Sequence, residues 1–197
     1  MNIEILTALA AFAFVSSVTP GPNNLMLMTS GANFGIRRTM PHFLGVVFGF
    51  LLMILLLGLG MVEVFAAFPR AYDLLRVLSI AYLLYLAFRI ASAEPGNIEN
   101  AGSPLNALQA ALFQWVNPKA WAMALTALTV YAPSQALSQV LLVALVCALV
   151  NSPSVFVWVV MGSRLRGWLQ NPKRLRQFNW SMAALLLASL YPVLFTP

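Results

Sequence analysis

The residues most able to do chemistry begin with the stretch Thr19-Pro20-Gly21-Pro22-Asn23-Asn24, which interrupts an apolar run over about residues 5–34. Its two prolines have no backbone N–H, so a helix continuing through them would leave the carbonyls of Ser16 and Val18 without their usual partners. Unsatisfied backbone at membrane depth is tolerated only where protein buries it or a wet cavity meets it. The stretch therefore predicts the wall of a polar cavity.

A second polar break, Val116-Asn117-Pro118-Lys119, lies at the middle of the apolar segment 105–131. A new half-helix should start after each break, capped by Asn23 or Asn24 in the first case and by Asn117 in the second. Such starts present free N–H groups and the positive end of a helix dipole. With the charge of Lys119 added, the two breaks favour an anionic group such as a carboxylate.

The same breaks also offer acceptors, because the carbonyls of Ser16, Val18 and Gln114 and the amide side chains nearby could accept hydrogen bonds from an ammonium group. Donors and acceptors together suit a zwitterion, such as a free amino acid. Two alternatives stay open: ordinary proline kinks, and a Lys119 that caps carbonyls or extends to the interface. The predicted substrate-binding residues are Pro20, Gly21, Pro22, Asn23, Asn24, Gln114, Asn117, Pro118 and Lys119.

A third polar stretch, Asn151-Ser152-Pro153-Ser154, lies inside another apolar segment. It is a weaker candidate than the other two. Asn151 and Pro153 could form a kink that takes part in gating, and an ordinary kink explains the pattern equally well.

The composition indicates an integral membrane protein, since 61% of the 197 residues are hydrophobic and 8% are charged. The net charge of +6 would favour nucleic acid in a soluble protein, but here the basic residues lie between apolar runs and are more simply read as topology signals. The single cysteine excludes an intrachain disulfide. One histidine and five acids argue against a metal cluster. We expect no metal, no cofactor and no nucleic-acid partner. The expected partners are the lipid bilayer and a small amino-acid substrate, and a homodimer stays open.

The fold is predicted to be all-α, with six membrane spans in a single domain over residues 1–197. The apolar segments cover about 5–34, 42–66, 72–92, 105–131, 136–161 and 177–195. If the N-terminus is outside, the inner loops carry eight basic residues and the outer loops two, which predicts that both termini lie outside the cytoplasm.

The second half of the chain echoes the first in hydropathy and proline placement. Repeat one covers about residues 1–93, a linker about 94–104, and repeat two about 105–197. Three spans per repeat put the halves in opposite orientations, which predicts a 3+3 inverted repeat with broken first and fourth helices, a pattern typical of secondary transporters.

Gly45 and Gly49 form a GxxxG step that allows close helix approach. Such a step can serve an internal contact or a homodimer face. We favour the internal contact.

Several motifs resemble those of the lysine exporter and homoserine/threonine resistance (LysE/RhtB) translocators. The resemblance rests on the opening signature at 19–25 with its continuation to His42, on the glycine spacing of 45–58, and on Tyr82-Leu83-Leu84-Tyr85-Leu86-Ala87 and Asn117-Pro118-Lys119. Ser79 departs from the glycine usual there, and the last span carries no matching motif. The sequence as a whole is similar to those of the cysteine/O-acetylserine and homoserine/threonine exporters of this family. The resemblance implies a bacterial inner-membrane exporter of amino acids driven by the proton motive force.

We therefore expect a secondary active exporter of a small amino acid or derivative, working as an antiporter by alternating access, and not an enzyme. The other functions are a small channel or scaffold and, less favoured, an intramembrane enzyme. An intramembrane serine protease would need a histidine at depth, and His42 is predicted near the cytoplasmic boundary.

Overall fold

The computed structural model describes residues 2–61, 63, 69–92 and 103–191, and every regular element within them is helical. In these ranges the α-helices are α1 Ile3–Val18, α2 Pro22–Leu56, α3 Pro69–Ala91, α4 Ala107–Phe113, α5 Pro118–Tyr131, α6 Leu137–Leu165 and α7 Pro172–Ala188. A π-helical turn, Leu57–Met61, extends α2. The 3₁₀ turns Gln114–Val116 and Trp168–Gln170 follow α4 and α6. The all-α prediction is confirmed for the part of the chain described.

The helix boundaries follow from prolines and asparagines. α1 ends at Val18 because Thr19 precedes a proline and is extended, with ψ of 146°. α5 begins at Pro118, and its N-cap Asn117 accepts a hydrogen bond from the backbone N–H of Lys119 at 3.2 Å. The predicted cap of α5 is confirmed.

The predicted cap of α2 is wrong. Its N-cap is Gly21, which makes no side-chain capping bond, and Pro22 occupies the first helical position. The Asn24 side chain instead donates backwards, to the carbonyls of Ser17 and Thr19, both at 2.7 Å. Proline at the first turn needs no N–H partner, so the helix begins there without an asparagine cap.

α2 folds back on itself at Gly35, whose φ of 77° lies in the left-handed region that favours glycine. Ser30 and Thr39 lie nine positions apart, about 13 Å in a straight helix. Their hydroxyl oxygens are nevertheless 3.0 Å apart. α2 therefore has a first limb, residues 22–34, and a second limb, residues 36–56.

The sequence prediction placed a loop between residues 34 and 42, and this boundary is wrong, because one glycine makes the turn. The other predicted segments agree with the helices to within a few residues where the structure describes them. The predicted linker lies mostly outside the described residues, and so do residues 192–197.

Backbone contacts hold α2 against two other helices. A Cβ on Gly162 of α6 would collide with the Met28 carbonyl of the first limb, and a Cβ on Gly45 would collide with the Ala107 carbonyl of α4. At Gly49 the added atom would lie 2.5 Å from the Ala111 Cα. The Gly45/Gly49 step thus makes an internal contact, as predicted.

Two apolar clusters fill the interior. One is centred on Leu27, Val46, Leu83 and Val159, and the other on Leu9, Met53, Ala124 and Val140. Large apolar side chains also cover the outside of the described helices, as Phe14, Phe48, Val77, Phe88, Leu149 and Leu185 illustrate. A surface of this kind suits lipid rather than water.

Among the described residues, three stretches are long and apolar enough to cross a membrane: Pro22–Met61, Asp73–Ala91 and Leu137–Leu165. Ile3–Val18 and Ala107–Val116 are shorter apolar helices. Forty residues of straight helix would reach about 60 Å, twice the hydrocarbon thickness, so Pro22–Met61 fits a membrane only because it reverses at Gly35. The protein is an integral membrane protein.

Candidate functional site

The two breaks in the helices meet in space. The Asn23 side chain, one residue into α2, donates from Nδ2 to Gln114 Oε1 at 2.9 Å. Gln114 Nε2 lies 3.3 Å from Asn23 Oδ1 and also donates to the Ala110 carbonyl at 2.8 Å. This pair of amides joins the start of α2 to the end of α4, although the residues are 91 positions apart.

Lys119 makes a second connection between the breaks. Its Nζ donates to the Thr19 carbonyl at 2.7 Å and to Thr19 Oγ1 at 2.8 Å, and it lies 3.3 Å from the Pro20 carbonyl. The lysine passes over Gly21, where an added Cβ would lie 2.6 Å from Lys119 Cδ. In this conformation Lys119 therefore caps carbonyls of the first break, the alternative that the sequence left open.

The carbonyls expected to be free for a substrate have internal partners here. Ser16 accepts from the Thr19 hydroxyl at 3.0 Å, and Val18 accepts from the Trp158 indole N–H at 3.3 Å. Gln114 accepts from the Asn117 backbone N–H at 3.3 Å. A substrate ammonium would have to displace one of these donors or Lys119.

A cavity of about 20 Å³ lies between the breaks, and we call it the central cavity. Its polar lining residues come from α1, α2, α5 and α6 and from the turn at Asn117. One water molecule needs about 10–15 Å³, so the central cavity has room for about one. The lining residues are Ser16, Ser17, Gly21, Asn23, Asn24, Phe50, Asn117, Lys119, Ala120, Met123, Asn151 and Val155.

The predicted site residues thus fall into two groups. Gly21, Asn23, Asn24, Asn117 and Lys119 line the central cavity. Pro20, Pro22, Gln114 and Pro118 do not line it; the prolines shape the breaks, and the buried Gln114 holds Asn23 in place.

Asn151 and Pro153 lie on different sides of α6. Asn151 is 5% exposed and lines the central cavity, while Pro153 is exposed and does not line it. α6 is continuous through both residues. The structure therefore brings Asn151 to the candidate site and leaves Pro153 on the outside.

Two polar groups at the central cavity lack partners in the described part of the chain. Ser17 is 3% exposed, and its hydroxyl has no hydrogen-bond partner. The Asn151 amide forms no hydrogen bond with any described residue. Buried polar groups without partners cost free energy, so these two are poised to bind water or a polar substrate.

The sequence prediction missed Ser17 as a site residue, and Trp158 as a partner of Val18. The Ser16-Ser17 pair directly before the first break was the available signal for Ser17. For Trp158 there was none, because its contact spans 140 positions.

Lys119 is the one ionisable side chain among the residues that line the central cavity. In the described ranges no group of three histidine, cysteine or acidic residues could hold a metal ion. The chemistry available is therefore hydrogen bonding from amides, hydroxyls and backbone, together with one ammonium group.

A family model described as "LysE type translocator" matches residues 14–190, and thus all the residues just described. The chain belongs to this family. The match covers both breaks and every helix from the end of α1 onward, so the LysE family assignment confirms the resemblance stated above.

Curated relatives of this LysE-type translocator include a cysteine/O-acetylserine efflux protein of Escherichia coli K12, 27% identical over 95% of this chain and 96% of the relative. A cysteine/O-acetylserine efflux protein of Klebsiella pneumoniae is 28% identical over 95% of each chain. Both relatives are, by name, efflux proteins for cysteine and O-acetylserine. No solved structure matches this chain.

Proposed function

We propose that this protein is a secondary active exporter that carries a small amino acid or derivative across the bacterial inner membrane. The observation that carries the proposal is the central cavity, where two helix starts and Lys119 meet beside the Asn151 side chain and the Ser17 hydroxyl, which has no hydrogen-bond partner among the described residues. Family membership supports the same function.

The proposed architecture is a 3+3 inverted repeat of six spans. α1 with the first limb of α2 forms the broken first span, and α4 with α5 forms the broken fourth span. The hydrogen bonds between the two breaks support this pairing, because corresponding interrupted helices meet at the substrate site in such transporters. Both termini would lie in the periplasm by the basic-residue rule.

For the substrate we propose a small α-amino acid of the cysteine or O-acetylserine type, by analogy with the efflux relatives. The substrate's ammonium would replace that of Lys119 on the Thr19 and Pro20 carbonyls. Lys119 would then be free to pair with the substrate's carboxylate, next to the N–H groups at the start of α5. This exchange keeps each charged group paired throughout.

The central cavity must enlarge for that exchange, because room for about one water molecule cannot hold an amino acid. We therefore propose alternating access, with the present conformation as a closed one. We also propose coupling to protons through Lys119, since it is the one titratable group in the lining.

The test is counterflow in proteoliposomes loaded with unlabelled amino acids, with labelled O-acetyl-L-serine outside. A carrier accelerates uptake when the same amino acid is inside, whereas a channel does not. A parallel export assay in cells with and without an uncoupler tests the proton coupling. Uptake without acceleration by any amino acid would replace the carrier with a channel. No uptake at all would favour a scaffold.

A further inference from the structure

A second cavity, of about 90 Å³, lies at the end of the first limb of α2 that is farther from the central cavity. We call it the outer pocket because it lies away from the centre of the molecule, and the name does not refer to a side of the membrane. It is bounded by that limb, by His42 of the second limb, by the end of α3 and by residues 103–105 before α4. None of its lining residues belongs to the central cavity. The lining residues are Met26, Thr29, Ser30, Asn33, Phe34, His42, Leu86, Arg89, Ile90, Ser103, Pro104 and Leu105.

His42 supplies the first observation that points to a bound molecule. The residue is 2% exposed, and neither Nδ1 nor Nε2 has a hydrogen-bond partner in the described part of the chain. Imidazole has at least one N–H donor, and a buried donor or acceptor without a partner costs free energy. The outer pocket is the open space next to this ring from which a partner could come.

Arg89 of α3 gives the outer pocket a positive charge. Its guanidinium lies 6.0 Å from the Tyr85 ring centre, and no carboxylate side chain is among the residues lining the pocket. Guanidinium binds carboxylates through two parallel hydrogen bonds, a geometry that lysine cannot offer. An anionic group entering the outer pocket would therefore meet Arg89.

The volume of the outer pocket suits a small amino acid. At about 10–15 Å³ per water molecule, the pocket has room for about six to nine waters, comparable to the heavy atoms of a small amino acid. The central cavity in the same conformation holds about one water.

The two cavities also share one helix. Asn23 lines the central cavity, and Met26, Ser30 and Asn33 line the outer pocket, at steps of three, four and three residues. Such steps keep side chains on one face of a helix. At 1.5 Å per residue Ser30 lies about 10 Å along the helix from Asn23. One face of the first limb therefore contributes lining residues to both cavities.

We propose that the outer pocket is a separate binding site for the carboxylate end of an amino acid, with Arg89 holding the carboxylate and His42 donating from its ring. The amino acid occupies this site before it enters the central cavity. The inference rests on the proposed export function and adds a site to it, on the side of the membrane where basic residues predict the cytoplasm.

The test measures access to the outer pocket directly. Ser103 is exposed and lines the pocket, so a Ser103→Cys variant in a Cys147→Ala background reports occupancy through its rate of reaction with a maleimide. We expect O-acetyl-L-serine to slow this reaction, and O-acetyl-L-serine methyl ester, which has no carboxylate, to have little effect.

Adding Arg89→Gln should raise the concentration for half-protection at least about ten-fold, as expected for the loss of a charge-assisted hydrogen bond. Arg37→Gln is the matched control, because Arg37 is exposed and does not line the pocket. His42→Leu should weaken protection, and His42→Gln, which keeps a donor, should restore part of it.

The outcomes separate the two proposals. Counterflow without protection of the introduced thiol, equal protection by the methyl ester, or an Arg89→Gln variant that behaves like Arg37→Gln would each overturn the outer site and leave the export function intact. Protection without counterflow of any amino acid would support the outer site as an amino-acid site and remove the carrier function.

Discussion

Replacement of Lys119 by methionine tests the central cavity most sharply, because the structure predicts a small effect on stability and a large effect on transport. The change removes two short hydrogen bonds to Thr19 and a longer one to Pro20. The Thr19 carbonyl keeps its bond from Asn24 at 2.7 Å, and Thr19 and Pro20 are exposed. No acceptor is left buried without a partner.

The stability cost should therefore be small. Hydrogen bonds to charged groups contribute about 1.5–3 kcal/mol, and the loss is largest where it leaves a buried group without a partner. Here the acceptors are exposed or bonded elsewhere, and a partly buried charge is removed, so we expect about 1 kcal/mol or less. Transport should nevertheless fall at least about ten-fold, because the substrate carboxylate loses its one ionic partner.

The assays are thermal unfolding of the purified protein in detergent and counterflow of O-acetyl-L-serine in proteoliposomes. Lys173→Met is the matched control, since Lys173 is exposed at the start of α7 and lies outside the cavity. Lys119→Arg keeps the charge but holds its proton throughout the physiological pH range, so it should retain binding and lose the response to an uncoupler. Normal counterflow by Lys119→Met would refute the proposed site. Strong destabilisation would refute the account of its contacts.

Three further changes test the packing around the cavity. Asn151→Leu should leave stability unchanged or raise it, because the amide has no described partner, and should lower counterflow at least about ten-fold; a clear loss of stability would mean that Asn151 has a partner. Gly162→Ala should lower stability by about 1–3 kcal/mol through collision with the Met28 carbonyl. Gly167→Ala should not lower stability, since a Cβ added there meets no neighbouring atom within 4 Å. Equal melting temperatures of the Gly162→Ala and Gly167→Ala variants would contradict this expectation. Asn117→Ala should lower the free energy of unfolding by about 1 kcal/mol, because it removes the cap of α5. Asn117→Ser should keep most of the stability, because serine also caps helices. Equal losses of stability in both variants would show that the cap is unimportant.

The helix breaks were predictable from local chemistry. Proline has no N–H and restricts the residue before it, so the ends of helix at Val18 and at Val116 follow from Pro20 and Pro118 alone. The same reasoning failed at the start of α2, where Asn23 or Asn24 was expected to cap the helix. The Asn24 amide instead donates to two carbonyls of the preceding residues, an outcome that depends on the path of the chain through Gly21.

Long-range contacts were beyond prediction from one sequence. Whether Lys119 binds a substrate or the Thr19 carbonyl depends on the relative placement of α1 and α5, because Lys119 and Thr19 lie 100 positions apart in the sequence. Asn151 was read as part of a proline kink because Pro153 is the stronger local signal, and only the rotation of α6 shows which of the two faces the cavity. The loop predicted between residues 34 and 42 was too long, because the sequence does not show that the single residue Gly35, with its φ of 77°, makes the whole turn.

The glycine contacts have a consequence for motion. At Gly162 and at the Gly45/Gly49 step, backbone lies directly against backbone, with no side chain between that could change rotamer. α2, α4 and α6 should consequently move as one rigid frame. α5 instead meets the π-helical turn that extends α2 through a side chain, since Leu128 Cδ2 would lie 3.0 Å from a Cβ added at Gly58. We therefore expect the rearrangement that admits a substrate to be a tilt of α5 against this frame, swinging on the extended residue Asn117 and carrying Lys119 with it.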